Sequence, residues 1–258
     1  MTKIHSTAII SRKAEIDEDV EVGPYCIIGD NVKIGKGCHL ISHVQIEGIT
    51  EIRENCTIYP FTTIGFPPQD MKYKGEPTGV KVGSGNIIRE YVTIHRASVS
   101  GDGWTTIGDN NFIMAYVHIA HDCKIGNNVI MANLATLAGH VIVEDFAFIG
   151  GMVAVHQFSR IGAYAMVGGF SGVAQDVPPF TMVSGARARL YGLNTVGLKR
   201  RGFSDEKINI LKKAYKILFR DKLQLKEAIK KVREEFPDIP EIRHLIEFLE
   251  ANKRGICR

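Results

Sequence analysis

Large aliphatic residues recur along the first two thirds of this chain at every sixth position. From Ile4 the series runs Ile10, Ile16, Val22, Ile28, Ile34, Leu40, Ile46, Ile52, Ile58 and Ile64 without exception. It resumes at Val82, Ile88 and Ile94, slips by one residue, and continues as Ile107, Ile113, Ile119, Ile125, Met131, Leu137, Val143, Ile149, Val155, Ile161, Val167 and Val173. Two residues ahead of each aliphatic stands a small or β-branched side chain, among them Ala8, Ala14, Val20, Cys26, Val32, Cys38, Val44, Thr50, Cys56 and Thr62. A helix spaces its apolar residues by three and four and a half-buried strand by two, so neither yields this pattern. A chain that turns a corner every six residues does. Three hexads then make one coil, coils stack as parallel strands about 4.8 Å apart, and both columns point inward. Runs such as Gly29-Asp30-Asn31, Gly108-Asp109-Asn110 and Gly126-Asn127-Asn128 suit the corners, where unusual backbone angles are needed.

Two segments break the period and are expected to bulge as surface loops: FPPQDMKYKGEPTGVK, residues 66–81, and the stretch around SVSGDGW, residues 98–106. The repeat fades near DVPPF (176–180), and the chain divides into a β-solenoid over residues 1–190 and a helical domain over 191–258. In the second part Ser204 is placed to cap a helix with Ile208, Leu211, Tyr215 and Leu218 on one face. Ile229, Val232 and Phe236 mark a second helix, and Pro240 opens a third carrying Ile242, Leu245, Ile246 and Leu249.

Charge is divided unevenly between these parts. Residues 1–196 hold 15 Lys/Arg against 18 Asp/Glu, a net −3, whereas residues 197–258 hold 17 against 10, a net +7. A basic tail favours an acidic partner. It lacks the interleaved aromatic residues of single-strand nucleic-acid binders, so nucleic acid is not the expected partner. No apolar run is long enough for a membrane span, and the N-terminus has no signal-peptide core, which points to the cytoplasm. The five cysteines form no CxxC pair. Cys26, Cys38, Cys56 and Cys123 all fall on the small inward position, which makes them packing thiols rather than nucleophiles or metal ligands.

In a stack of eighteen-residue coils, His121 shares a column with Gly139 and Gln157, and Asp122 with His140. His156 flanks Gln157 and His118 is near in sequence, so several of the nine histidines gather on one strip. These residue types suit acyl transfer. A neutral imidazole can deprotonate an attacking hydroxyl, a carboxylate can fix its tautomer, and a glycine lets a backbone N–H approach an oxyanion. His121 with Asp122 is the pair assigned here, although spacing alone does not separate His121 from His118 or His140. A zinc hydratase built on His118, His121 and His140 is the alternative on the same scaffold. It leaves Asp122 and the basic tail without a purpose.

The segments IREYVTIHR, HIAHDCKIGN, LAGHVIVEDFAFIGGMVAVHQF, MVGGFSGVAQDVPPF and GLNTVGLKRRGF resemble the acyl carrier protein-dependent UDP-N-acetylglucosamine O-acyltransferases that begin lipid A synthesis, and the likeness spans essentially the whole chain. The resemblance implies a left-handed parallel β-helix, a homotrimer with active sites between subunits, and no metal or cofactor. It implies a Gram-negative type of bacterium as the source. By the same resemblance, His121 matches the general base, Asp122 its partner and Gly139 the oxyanion donor. His118, His140, His156 and Gln157 match substrate contacts, as do Gln69, Asp70 and Lys72 of the first loop; Asn194, Arg200 and Arg201 fall near the nucleotide. Gly169 falls where acyl length is measured, and the absence of a side chain there favours a longer acyl group. Arg187 and Val196 depart from residues found in some members, leaving nucleotide and acceptor recognition open, and the acceptor could be UDP-N-acetylglucosamine or its 3-amino analogue.

Overall fold

The computed structural model describes residues 1–258. Twenty-six short strands, from β1 (Lys3–Ile4) to β26 (Gly172–Val173), wind as a left-handed parallel β-helix with three faces. Each turn of chain contributes one strand to each face. The faces are called A, B and C after β1, β2 (Ile9–Ile10) and β3 (Glu15–Ile16). Both inward columns are buried as the period demands: Ile28, Ile34, Leu40, Ile46, Ile58 and Ile64 fill the interior, and Val20, Cys26, Cys38, Val44 and Cys56 close the bends. Burying one such aliphatic is worth about 1.5–3 kcal/mol, which must offset the ordering of a whole hexad, so a coil is stable only against neighbours above and below. Ile4, at the open end, stays half-exposed.

The corners correct one expectation. Their left-handed residues are mostly not glycine or asparagine but large side chains: Tyr25, His43, Phe61, Tyr91, Tyr116, Leu134, Met152 and Phe170 at the A–B corner, and Asp122, His140 and Phe158 at the B–C corner. Of the triplets singled out in the sequence, only Asn110 and Asn128 adopt this conformation, at the C–A corner. Such backbone costs on the order of 1–2 kcal/mol per residue. The stack compensates it: most corner N–H groups donate to the carbonyl one coil below, as His140 does to His121 (3.0 Å) and Tyr116 to Glu90 (2.9 Å), while those of Tyr25 and Asp122 donate to the hydroxyls of Thr7 and Thr105. The side chains also stack, with Phe61 on Tyr91 at 4.9 Å and Tyr91 on Tyr116 at 4.7 Å.

The two insertions leave the column in register. Ile58 pairs Ile88, and Ile94 pairs Ile119, where uninterrupted coils pair residues eighteen apart, as Ile119 and Leu137 do. Extra residues are therefore extruded without disturbing the core.

Above β26 a hairpin of β27 (Thr181–Ser184) and β28 (Arg189–Leu193) leads into four helices, α1 (Thr195–Arg200), α2 (Asp205–Phe219), α3 (Leu225–Glu235) and α4 (Pro240–Glu250). Ser204 caps α2 by accepting from Lys207 N–H, and Ile208, Leu211, Tyr215 and Leu218 are buried, as predicted. Phe236 ends α3 as its C-cap rather than extending its face. The helices share a second core with Phe180 of the last coil, and His244 on α4 meets Glu144 at 2.8 Å, fastening the helices to the solenoid.

Candidate active site

The register on face B runs His118, Thr136, Ala154, Gly172 in one column, and the corner beside it brings Gly139 over His121 and His140 over Asp122. His121 Nδ1 lies 2.8 Å from Asp122 Oδ2. An ionised carboxylate only accepts, so Nδ1 carries the hydrogen and Nε2 presents a lone pair. His140 stands perpendicular to His121 with ring centres 5.3 Å apart, its Nε2 3.7 Å from the same Asp122 oxygen. Gly139 is close enough that a Cβ there would sit 2.6 Å from His121 Cε1, and its N–H donates to no backbone acceptor.

The second insertion holds the carboxylate. Ser98 N–H and hydroxyl donate to Asp122 Oδ2 at 3.0 and 2.7 Å, Thr105 Oγ1 accepts from Asp122 N–H, and Ser100 Oγ lies 3.3 Å from His140 Nε2. Burial alone would raise the Asp122 carboxyl, but the bonds from His121 and Ser98 outweigh it, and the group lies below the usual carboxylate range. Burial lowers His118 and His140, keeping both neutral at physiological pH. Sequence reasoning missed Ser98, Ser100 and Thr105 because they reach Asp122 and His140 across coils of unequal length. It also missed His95, which is 8% exposed, packs edge-on against His118 at 5.1 Å and is pushed by burial down to about 4.

The other predicted residues fall into separate groups. His118 Nδ1 is 2.6 Å from Thr93 Oγ1 on face B, beside the dyad. His156 and Gln157 are exposed further along the same face. On the first loop Gln69 and Lys72 are exposed, while Asp70 lies within electrostatic reach of His140; Arg96 anchors this loop through Tyr73 OH at 3.0 Å. Gly169 is exposed at the A–B corner. Asn194, Arg200 and Arg201 are not near the histidines. They line a cavity of about 490 Å³ on face A and the C–A corner, with Phe146, Tyr164, Met166 and Val196. Asn194 is partly committed to structure, capping α1 through Gly197 N–H and donating to Tyr164 O. Arg187 sits elsewhere, in a groove with Arg189 and Arg258.

Comparison with known proteins decides the family. Residues 176–257 match the family model described as UDP N-acetylglucosamine O-acyltransferase, domain 2, and residues 105–139 match the bacterial transferase hexapeptide repeat. The chain is 83% identical over all 258 residues to the acyl-(acyl-carrier-protein) UDP-N-acetylglucosamine O-acyltransferase of Thermodesulfovibrio yellowstonii, covering the whole of both. The chain belongs to the UDP-N-acetylglucosamine O-acyltransferase family. The corresponding enzyme of Syntrophobacter fumaroxidans is 52% identical over 99% of this chain and all of the relative. The solved LpxA of Acinetobacter baumannii superposes with a TM-score of 0.96 at 44% identity over 99% of each chain, and that of Moraxella catarrhalis does so with the same values.

In this O-acyltransferase the geometry lends nothing to the zinc alternative. The groups close enough to share an ion are His121, Asp122 and His140, and His121 Nδ1 is already bonded to the carboxylate. His118 is turned away toward Thr93 and His95.

Proposed function

We propose that this enzyme transfers a 3-hydroxyacyl group directly from acyl carrier protein to the 3-position of UDP-N-acetylglucosamine, or of its 3-amino analogue, in the cytoplasm of a Gram-negative type of bacterium, as the first step of lipid A synthesis. The observation that carries the mechanism is the 2.8 Å contact between His121 Nδ1 and Asp122, which leaves Nε2 free as a base. Nε2 removes the proton from the sugar hydroxyl as its oxygen attacks the thioester carbonyl. Gly139 N–H stabilises the oxyanion. Collapse expels the carrier thiolate, which regains the proton from His121, giving ester and free thiol. The buried thiols are too far inside the prism to form a covalent intermediate: Cys123 is fully buried, and burial pushes it up to about 12. No helix is long and apolar enough to cross a membrane.

A homotrimer with composite sites is supported by the distribution of features over the prism. The A–B corner carries an exposed apolar ladder of Tyr25, Phe61, Tyr91, Tyr116, Leu134, Met152 and Phe170, a surface that a monomer would leave wet. With that corner on a threefold axis, face A of one protomer meets face B of the next. The cavity with Arg200 and Arg201 then faces the histidines of its neighbour, joining nucleotide contacts and acyl-transfer groups that one chain holds apart. Arg200 and Arg201 supply the charge for a diphosphate, and Lys72 on the first loop adds a mobile one. The carrier is acidic as a class and suits the +7 tail. Co-expression of His121→Ala and Arg201→Ala chains is expected to restore activity that neither homotrimer has, because a mixed trimer regains intact sites. Recovery no greater than the sum of the parents would refute the composite site.

Face B also offers a track for the acyl chain. Above His118 its outward side chains shrink through Thr136 and Ala154 to Gly172, with Ala138 and Ala174 alongside. Gly169 lies near the far end, three strand spacings or roughly 14 Å above His118. A Cβ at Gly169 would meet only the Gly151 backbone, its O at 3.3 Å and its N at 3.9 Å, so a side chain can be accommodated there with a small shift and would project over the track. Gly169→Met is expected to shift preference to shorter acyl groups, read by mass spectrometry of products from mixed acyl-carrier thioesters and both UDP-sugars. An unchanged length profile would remove Gly169 from this role.

A further inference from the structure

The geometry points to Arg254, on the last segment of the chain, as a positioning residue that sets which ring nitrogen of His156 carries hydrogen. The inference rests on the proposed role of His156 as a substrate contact. After α4 the chain folds back onto the end of the solenoid. Asp176, 1% exposed, is the anchor. Its N–H donates to Gly255 O and its carbonyl accepts from Cys257 N–H, both at 2.9 Å, so that Ile256 pairs with it in parallel. Its carboxylate accepts from Arg160 Nε at 2.8 Å and Asn252 Nδ2 at 3.0 Å, and Asn252 Oδ1 accepts from Gly255 N–H at 2.9 Å. This network fixes the backbone on both sides of Arg254.

From there Arg254 Nη2 reaches His156 Nδ1 at 3.1 Å, and its Nε is buried without an acceptor. A guanidinium only donates, so Nδ1 must be the bare nitrogen and the hydrogen must sit on Nε2, which has no partner within the protein. The same Nδ1 lies 3.1 Å from Gln157 O, a carbonyl that could be satisfied only by an Nδ1–H. The two neighbours demand opposite tautomers. The charge-assisted bond is the stronger, so Arg254 holds the form in which Nε2–H is offered to substrate. Without the guanidinium, Gln157 O is the remaining neighbour, the hydrogen moves to Nδ1, and Nε2 becomes an acceptor. The polarity of the group meeting substrate inverts while His121 and Asp122 keep their places.

The test uses the full-length protein labelled with 15N-histidine, the His156 signals being assigned by their loss in His156→Gln. In the wild type the bare-nitrogen resonance is expected from Nδ1, and in Arg254→Met from Nε2. Arg254→Met is expected to lower kcat/KM about tenfold, the size of one lost hydrogen bond to a charged group. Arg254→Lys, which keeps a cationic donor, recovers part of the loss. In a His156→Ala background Arg254→Met costs nothing further, because it acts through the missing ring. An Nδ1–H signal in the wild type, an unchanged tautomer in Arg254→Met, or an equal loss in the His156→Ala background overturns the inference. Wild-type kcat/KM for His156→Ala would instead sink the substrate-contact role, and the tautomer measurement would still judge Arg254 separately.

Discussion

Replacing His121 with alanine is expected to lower kcat by roughly a hundred- to ten-thousand-fold, the usual contribution of a positioned general base. The fold and its melting temperature should survive. His121 lies at a surface corner with its side chain 17% exposed, outside both hydrophobic cores, and Asp122 keeps its bonds from Ser98 when the ring is gone. Steady-state rates with saturating acyl carrier thioester, set beside a thermal melt, check both halves. A variant with more than a tenth of wild-type kcat would transfer the base's role to His118 or His140. A variant that is inactive but also unfolded would leave the chemistry to His121→Gln, which retains the bulk and a polar end but no base.

Gly139→Ala is expected to cost kcat about a hundredfold, the scale on which misplacing a catalytic group by an ångström operates. The added Cβ would lie 2.6 Å from His121 Cε1 and 2.8 Å from Nε2, closer than any real contact. The ring must swing aside, and swinging aside breaks its bond to Asp122. The glycine backbone is not itself in the left-handed region, so alanine fits the local conformation and the loss falls on catalysis. KM for UDP-N-acetylglucosamine should change by much less than kcat, since the substitution leaves Arg200 and Arg201, the proposed nucleotide contacts, untouched. Equal changes in both, or a large drop in melting temperature, would mean that the substitution disturbs the coil rather than the dyad.

Electrostatics at this corner are arranged for one role. Asp122 is 4% exposed yet ionised, because His121 and Ser98 give it more than burial takes away. His140 and His118 are held neutral around it by desolvation. In the mechanism proposed above, the carboxylate can therefore orient His121 and stabilise the imidazolium that would form as the sugar hydroxyl is deprotonated.

Much of this was legible in the amino-acid order because a solenoid turns tertiary neighbours into an interval. The inward columns, the alignment of His121 with Gly139 and of Asp122 with His140, the burial of Cys26, Cys38, Cys56 and Cys123, and the faces of α2 and α4 follow from periodicity, which local geometry repeats coil after coil. Interval arithmetic fails wherever chain length per turn changes. Ser98, Ser100 and His95 lie in or beside an insertion, and their contacts with Asp122, His140 and His118 had no period to reveal them. The aromatic residues at left-handed corners were likewise hidden, since what supports them comes from neighbouring coils: an acceptor for the corner N–H and, at several corners, a ring to stack on. Arg254 is 98 positions from His156, and Arg200 belongs to a different face from His121. Sequence alone determined the column and the alignment of His121 with Gly139 and of Asp122 with His140, because both depend on short repeated spacings, whereas the bond that singles out His121 as the partner of Asp122 is read from the fold. Only the folded chain decided what surrounds them, because the insertions, the corners and the returning C-terminal segment meet the site through contacts whose separation along the chain carries no signal.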